Sequence, residues 1–341
     1  VMNMYDTKDG IPGKSNKAIH ITSTAYITVY YEYSNFNNPD IWSLKGRNGL
    51  GTEFFTSFQN VMDNVNKNNQ SSTVTNCHCW NQPAYSAFDV AFTEDNTFLT
   101  FDIPAGLSIY NGAGAPLTGT VTIGPFNRGD SYSGIPAINN PPEGGGIKTN
   151  DIFGRSMLDH LAGVRITTNG GKKIAVSLKD DSMKSLVGGC YDLVGDQTVP
   201  TNIIGTEYIA MRGELTTGNL KNGWYSAPPP NPVTQESLFI LATEDNTDIY
   251  INGAYWMTLD KAETGHYTIP DTDDFTHVES VDSAVYVFQI TGPSNGCEMG
   301  AAVLPSISKC TGSTKVGFTR SYDADDGEDY KFYMNIMVRK G

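Results

Sequence analysis

The chain has 341 residues, enough for about two domains or one large β domain. Its 23 Lys and Arg against 37 Asp and Glu give a formal net charge of −14, which repels phosphate backbones and anionic headgroups; no apolar run approaches the roughly 18 residues of a spanning helix, so neither nucleic acid nor direct membrane insertion is expected. Charged residues reach only 18% and aromatics 11%, with 35 Gly and 17 Pro, a mixture that suits many short strands joined by tight turns and little helix.

Residues 17–33 alternate apolar and polar side chains on either side of Ser23-Thr24, as a β-hairpin does. Tyr30 and Tyr31 then face opposite ways, so one of them meets a second layer or stays available for contact. The best amphipathic helical stretch lies around residues 54–65, where Asn-rich sequence interrupts it, and residues 60–82 read as a surface loop. Within that loop Cys77-His78-Cys79 offers soft ligands, but structural zinc sites separate paired ligands by roughly two to four residues and supply a second pair. Disulfide bonding with a solvated His78 accounts for the tripeptide better.

Residues 87–92 and 98–103 flank Thr93-Glu94-Asp95-Asn96-Thr97, a second expected hairpin in which Asp95-Asn96 tolerate a left-handed turn. The pentapeptide returns unchanged as Thr243-Glu244-Asp245-Asn246-Thr247, between strand-like residues 237–242 and 248–252. Gly51-Thr52-Glu53-Phe54 recurs as Gly205-Thr206-Glu207-Tyr208, and Ile19-His20-Ile21-Thr22 resembles Val164-Arg165-Ile166-Thr167. Landmarks that recur in one order are the mark of an internal duplication. Residues 164–167 and 173–178 flank Asn169-Gly170-Gly171 as a further hairpin, while residues 124–146 and 227–232 break regular structure. Val278-Glu279-Ser280 with residues 284–289 opens a partial third copy, paralleling Ile21-Thr22-Ser23 and residues 27–30.

The expected organisation is a first β unit over 1–158, a second over 159–275, and a partial third over 276–341 packed on the others. Strands so regularly spaced must cover one another's apolar faces, which predicts an all-β fold of tandem β-sandwich-like units. An unmatched half-unit, or a strand at 330–338, leaves an open edge, and an open edge invites another chain.

The acidic residues offer calcium as the one cofactor with candidate ligands. Glu94-Asp95 and Glu244-Asp245 are explained as well by turn chemistry. Asp323, Asp325, Asp326 and Glu328 form the densest acidic run, with Gly327 at its bend; it lacks EF-hand spacing, and a solvated loop explains it too. Cys297 and Cys310 flank a short stretch bearing Gly, Pro and Ser and are the candidate disulfide, which needs an oxidising compartment. Tyr31, Tyr33, Trp42, Tyr255 and Trp256 are the candidate contact residues, because exposed Tyr and Trp anchor sugars and proteins.

Catalysis finds little support in the residues. The Gly-x-Ser-x-Gly elbow is absent, and the five His, at 20, 78, 160, 266 and 277, share no metal-type spacing. His20 and His160 read as surface or hydrogen-bonded residues rather than bases, and 37 acidic residues single out no glycosidase pair.

The order of residues 17–31, Leu50-Gly51-Thr52-Glu53-Phe54, Ala91-Phe92 with the pentapeptide, Val121-Thr122-Ile123 and Asn127-Arg128-Gly129-Asp130 resembles the N-terminal domain family of IgGFc-binding protein. Leu161-Ala162-Gly163-Val164-Arg165-Ile166, Gly189-Cys190-Tyr191-Asp192, Gln197-Thr198-Val199-Pro200, Gly205-Thr206-Glu207-Tyr208 and Val285-Tyr286-Val287-Phe288-Gln289 continue the likeness over about residues 15–320. Bacterial members of that family are secreted cell-surface proteins. The resemblance implies an extracellular β-rich module used in adhesion or surface coats, and it brings no catalytic residues.

The expectation is therefore a non-enzymatic, secreted or cell-surface module that mediates adhesion or assembles into a fibre or coat. Its expected partners are other protein subunits, itself included, or surface glycans. A calcium-stabilised carbohydrate-binding module and a secreted glycan-active hydrolase are the alternatives.

Overall fold

The computed structural model describes residues 13–33, 40–62, 86–111, 115–137, 160–184, 191–213, 236–270, 272–291, 299–309, 336 and 338. The first part contributes β1 (Lys14–Ser15), β2 (Tyr30–Tyr33), β3 (Asp40–Ser43), β4 (Leu50–Gly51), β5 (Glu53–Phe55), β6 (Ser86–Phe92) and β7 (Thr97–Asp102). It continues with β8 (Thr120–Phe126), β9 (Ser131–Gly134), β10 (Arg165–Thr168), β11 (Ile174–Lys184) and β12 (Tyr191–Gln197). The second part contributes β13 (Glu207–Met211), β14 (Ser237–Ala242), β15 (Thr247–Ile251) and β16 (Ala254–Leu259). Then follow β17 (Thr264–Thr268), β18 (Phe275–Ser280), β19 (Val285–Thr291) and β20 (Gly300–Val303). The fold is all-β: among the described residues the helical elements are short 3₁₀ turns, such as Gly46–Gly49. The helix-like pattern around 54–65 is not realised at residues 56–62, which run irregularly and bury Phe58 and Met62 in the core.

Two β-sandwiches of the same strand order account for the repeat. In the first, a sheet ordered β5-β10-β7-β8 faces a 6-stranded sheet ordered β1-β9-β6-β11-β12, with β4 also paired to β11. In the second, β13-β18-β15-β16 faces β17-β14-β19-β20. Each strand from β5 to β12 thus has its counterpart, in chain order, from β13 to β20. Register fixes the equivalence, because Ile166 sits opposite Phe54 as Val278 sits opposite Tyr208.

Strand pairing therefore groups the chain differently from the divisions at 158 and 275. Residues 165–197 complete the first sandwich, and residues 275–303 complete the second. The counterpart of Val164-Arg165-Ile166-Thr167 is the stretch around Val278, and neither corresponds to Ile19-His20-Ile21-Thr22, which joins no sheet. Periodicity of two marks a strand without naming its neighbour.

Both copies of the repeated pentapeptide cross between sheets, so neither closes a hairpin. β6 pairs with β9 and β11 while β7 pairs with β8 and β10; β14 pairs with β17 and β19 while β15 pairs with β16 and β18. The cause lies in the buried faces. Phe88, Val90 and Phe92 of β6 share one core with Leu99 and Phe101 of β7, and arching the chain across the sandwich sets these faces against each other. Asn169-Gly170-Gly171 behaves likewise, carrying the chain from β10 in one sheet to β11 in the other.

The expected hairpin over 17–33 is also not formed. Residues 16–29 join no sheet, and only β2 pairs, with β3, placing Tyr31 opposite Trp42.

The sheet β17-β14-β19-β20 is covered on both sides. On β14, Leu238, Ile240 and Ala242 pack into the core shared with the β13 sheet, while Phe239 and Leu241 join the core of the first sandwich. β19 repeats the division, with Val285 and Val287 on one side and Tyr286, Phe288 and Ile290 on the other. Burying each such side chain is worth about 1.5–3 kcal/mol, so the seam between sandwiches is a hydrophobic core in its own right. Tyr286 lies 6.5 Å from Phe55, ring to ring, and donates its hydroxyl to the Val199 carbonyl at 2.7 Å.

Candidate functional site

The conspicuous acids of the repeat hold turns together. Asp95 Oδ1 accepts the Arg128 N–H at 3.0 Å, and Asp245 Oδ1 accepts the Lys261 N–H at 3.0 Å. Thr97 and Thr247 each donate to the carbonyl of the Glu three residues before, both at 2.8 Å. Thr93 donates to the Lys173 carbonyl as Thr243 does to that of Ala284. Asn96 and Asn246 stand at φ of 56° and 55°, the left-handed backbone that the sequence assigns to them. Glu94 Oε1 accepts the Lys173 N–H at 2.9 Å. Carboxylates engaged in this way tie each arch to the turn between the next two strands, which is a structural duty.

A second set of acids joins the sandwiches. Asp192 Oδ2 accepts the Met299 N–H at 2.5 Å and Asp196 Oδ2 accepts the Val303 N–H at 2.8 Å, so two side chains of β12 satisfy backbone donors at β20. Lys45 Nζ lies 2.7 Å from Asp196 Oδ2, yet burial outweighs it and pushes that carboxyl above its ordinary value. Asp40, beside it, is pushed up to about 7, chiefly by burial. Outside the seam, Lys179 pairs with Asp89 at 2.5 Å.

His78 lies outside the described residues, and of the other histidines three make contacts within the fold. His160 is buried near Gln59 and Asp180, whereas His20 is exposed. His277 Nε2 contacts Glu207 Oε1 at 3.0 Å, at the position where the first sandwich pairs Arg165 with Glu53 at 2.6 Å. Among the described residues, Ser237 and His266 make an arrangement that resembles a nucleophile and base, 2.9 Å apart. The Ser237 hydroxyl is fully buried between β14 and β17, His266 stacks on Phe239 at 4.8 Å, and burial pushes its imidazole down. A serine enclosed in a sheet presents nothing to a substrate.

Among the expected contact residues, Tyr31 and Trp42 meet each other, stacked at 4.8 Å, and Trp42 is only 6% exposed. Trp42 closes over Gly195, where an added Cβ would stand 3.1 Å from the indole ring. Tyr255 is 58% exposed on β16, while Trp256 turns inward at a bulge and meets Tyr267 edge-on at 5.7 Å. The Tyr33 side chain lies outside the described residues, as do Cys297, Cys310, Asp323, Asp325, Asp326 and Glu328. Cys77, Cys79 and Cys190 do so too. Among the described residues, no group of three or more His, Cys, Asp or Glu is placed to hold a metal ion.

Other large apolar side chains are exposed as well, Ile41, Phe275 and Val281 among them. Ile19, Ile21, Tyr26 and Ile27 are 60%, 51%, 108% and 55% exposed on the unpaired segment before β2, and Tyr255 extends along the β16 edge. The alternation of residues 17–33 is plain in the sequence, but not that residues 16–29 would stand outside every sheet.

Fold and surface together define a duplicated all-β module in which, among the described residues, the acids of the repeat and of β12 serve turns and the seam, and a strand-like segment before β2 joins no sheet. The chain belongs to the IgGFc binding protein family, whose model matches residues 48–340. Neither a curated protein nor a solved structure matches it.

Proposed function

We propose that this protein is a non-catalytic extracellular module that binds other proteins, serving adhesion or the building of a surface fibre or coat. The observation that carries the reading is the distribution of chemistry. Among the described residues, the acids of the repeat and of β12 are engaged in turns and at the seam, while Ile19, Ile21, Tyr26 and Ile27 before β2 and Tyr255 on β16 are presented outward. Membership in a family named for binding an antibody fragment supports a protein as the ligand. Among the described residues no helix is long and apolar enough to cross a membrane, which accords with secretion.

The test is capture. Immobilised full-length chain is challenged with purified extracellular proteins, immunoglobulin Fc included, and with a glycan array. Saturable retention of a protein supports the reading. Turnover of a peptide or glycan library that one point substitution abolishes would replace it with an enzyme.

A further inference from the structure

We infer that the strand-like segment at residues 19–28 of one copy, which joins no sheet of its own chain, adds as a strand to the β16 edge of a second copy. The inference rests on the protein-binding reading above and names the partner as this chain itself. Residues 18–31 contain no Asp, Glu, Lys, Arg, Pro or Gly, in a chain of net charge −14. Alternating, β-branched and uncharged, such a stretch has the composition of a strand that seeks a sheet. Its residues 19–28 nonetheless lie outside every sheet, anchored at one end where Ala18 N–H donates to the Gly129 carbonyl at 3.2 Å and at the other by β2 and the Val29 carbonyl, which accepts the Leu44 N–H at 2.9 Å.

Among the described residues, the duplication lets the edges of the two sandwiches be compared. β5 and β13 are covered in parallel ways, since Thr201 N–H donates to the Glu53 carbonyl and Ile307 N–H to that of Glu207. β20 is met by Asp192 and Asp196, and at β17 the Thr264 carbonyl accepts from Asn60 Nδ2 at 3.2 Å. β8 is blunted by Gly124-Pro125, and Lys14 Nζ sits 3.2 Å from the Pro125 carbonyl. β16 occupies the place of β8 in the second sandwich and, among the described residues, has none of these devices. Its 6 residues, Ala254-Tyr255-Trp256-Met257-Thr258-Leu259, contain no charge and no Pro. Two copies that repel each other over most of their acidic surface meet without like charges when these two segments pair.

The experiment uses the full chain and a synthetic peptide of residues 17–29. Sedimentation should show association that grows with concentration, and the double variant Ile21→Asp, Ile27→Asp should stay monomeric with an unchanged melting curve, because both side chains are exposed. The peptide should slow amide exchange at residues 254–259 of that variant at least severalfold, and its Ile21→Asp, Ile27→Asp form should not. Association that survives the double substitution overturns the inference. So does protection centred on another edge, or protection of residues 254–259 by the chain's own segment in a concentration-independent monomer. Capture of a different protein by the monomeric variant would leave the broader function standing while self-pairing is judged on its own.

Discussion

Tyr208 donates its hydroxyl hydrogen to the Val285 carbonyl at 2.5 Å and accepts the Gly205 N–H at 3.0 Å, joining β13 to β19 in the facing sheet. The equivalent residue in the first sandwich is Phe54, so an aromatic ring without the hydroxyl already fits this site once in the molecule. Tyr208→Phe should keep the packing and strand a buried donor and acceptor, costing about 1–3 kcal/mol in chemical denaturation. Burial also pushes Tyr208 up to about 12. Its folded state holds the proton longer than the unfolded chain, whose ordinary value is 10.0, so its contribution is whole below pH 10.0 and is lost as pH rises through about 12. The Phe variant should show a shallower alkaline loss of stability.

Asp40 predicts a second pH dependence. Its Oδ2 is buried with no hydrogen-bond partner among the described residues, and burial lifts the carboxyl from 3.8 to about 7, with hydrogen bonds from Ile41 and Gly195 opposing and Asp196 adding to the rise. The contribution is therefore complete below pH 3.8 and lost as pH rises through about 7. Asp40→Asn should stabilise the protein at pH 8 by on the order of 1–2 kcal/mol and change little at acid pH, as read by urea titration at both values.

The paired arches should respond alike. Asp95→Ala and Asp245→Ala each free one backbone N–H at an exposed turn, and each should cost about 0.5–1.5 kcal/mol by thermal melting. Unequal losses would argue against the equivalence of the two sandwiches.

Gly163 tests the seam. Its φ is +88°, and a Cβ there would stand 2.3 Å from the Ala262 carbonyl oxygen in the second sandwich. Gly163→Ala should cost about 2–4 kcal/mol, through backbone strain and overlap, and open a separate low-denaturant transition as the two sandwiches lose contact.

Much of this architecture was legible in residues. The repeated pentapeptide announced the duplication, and Asp-Asn announced a left-handed turn, because both signals are local. Which strands lie side by side was not legible. Phe92 and Leu99 keep the same period-two places in their strands whether the chain folds back in one sheet or arches to the facing one, and only long-range register decides. The same limit made Ile19-His20-Ile21-Thr22 read as a strand of a hairpin, when its pattern describes a strand that has no partner within the described fold. Trp42 illustrates the converse: composition suggested a surface anchor, but Gly195 opens a place for the indole that no spacing in the sequence reveals.

Native-state hydrogen exchange on the dilute chain tests the account most directly, because it reads the buried sheet and the free segment together. Residues 237–242 and 285–291 should be the last to exchange, as strands covered on both faces, and residues 19–28 should exchange at the rate of an unprotected peptide. Strong protection of residues 19–28 in the monomer, or early exchange across β14 and β19, would contradict it.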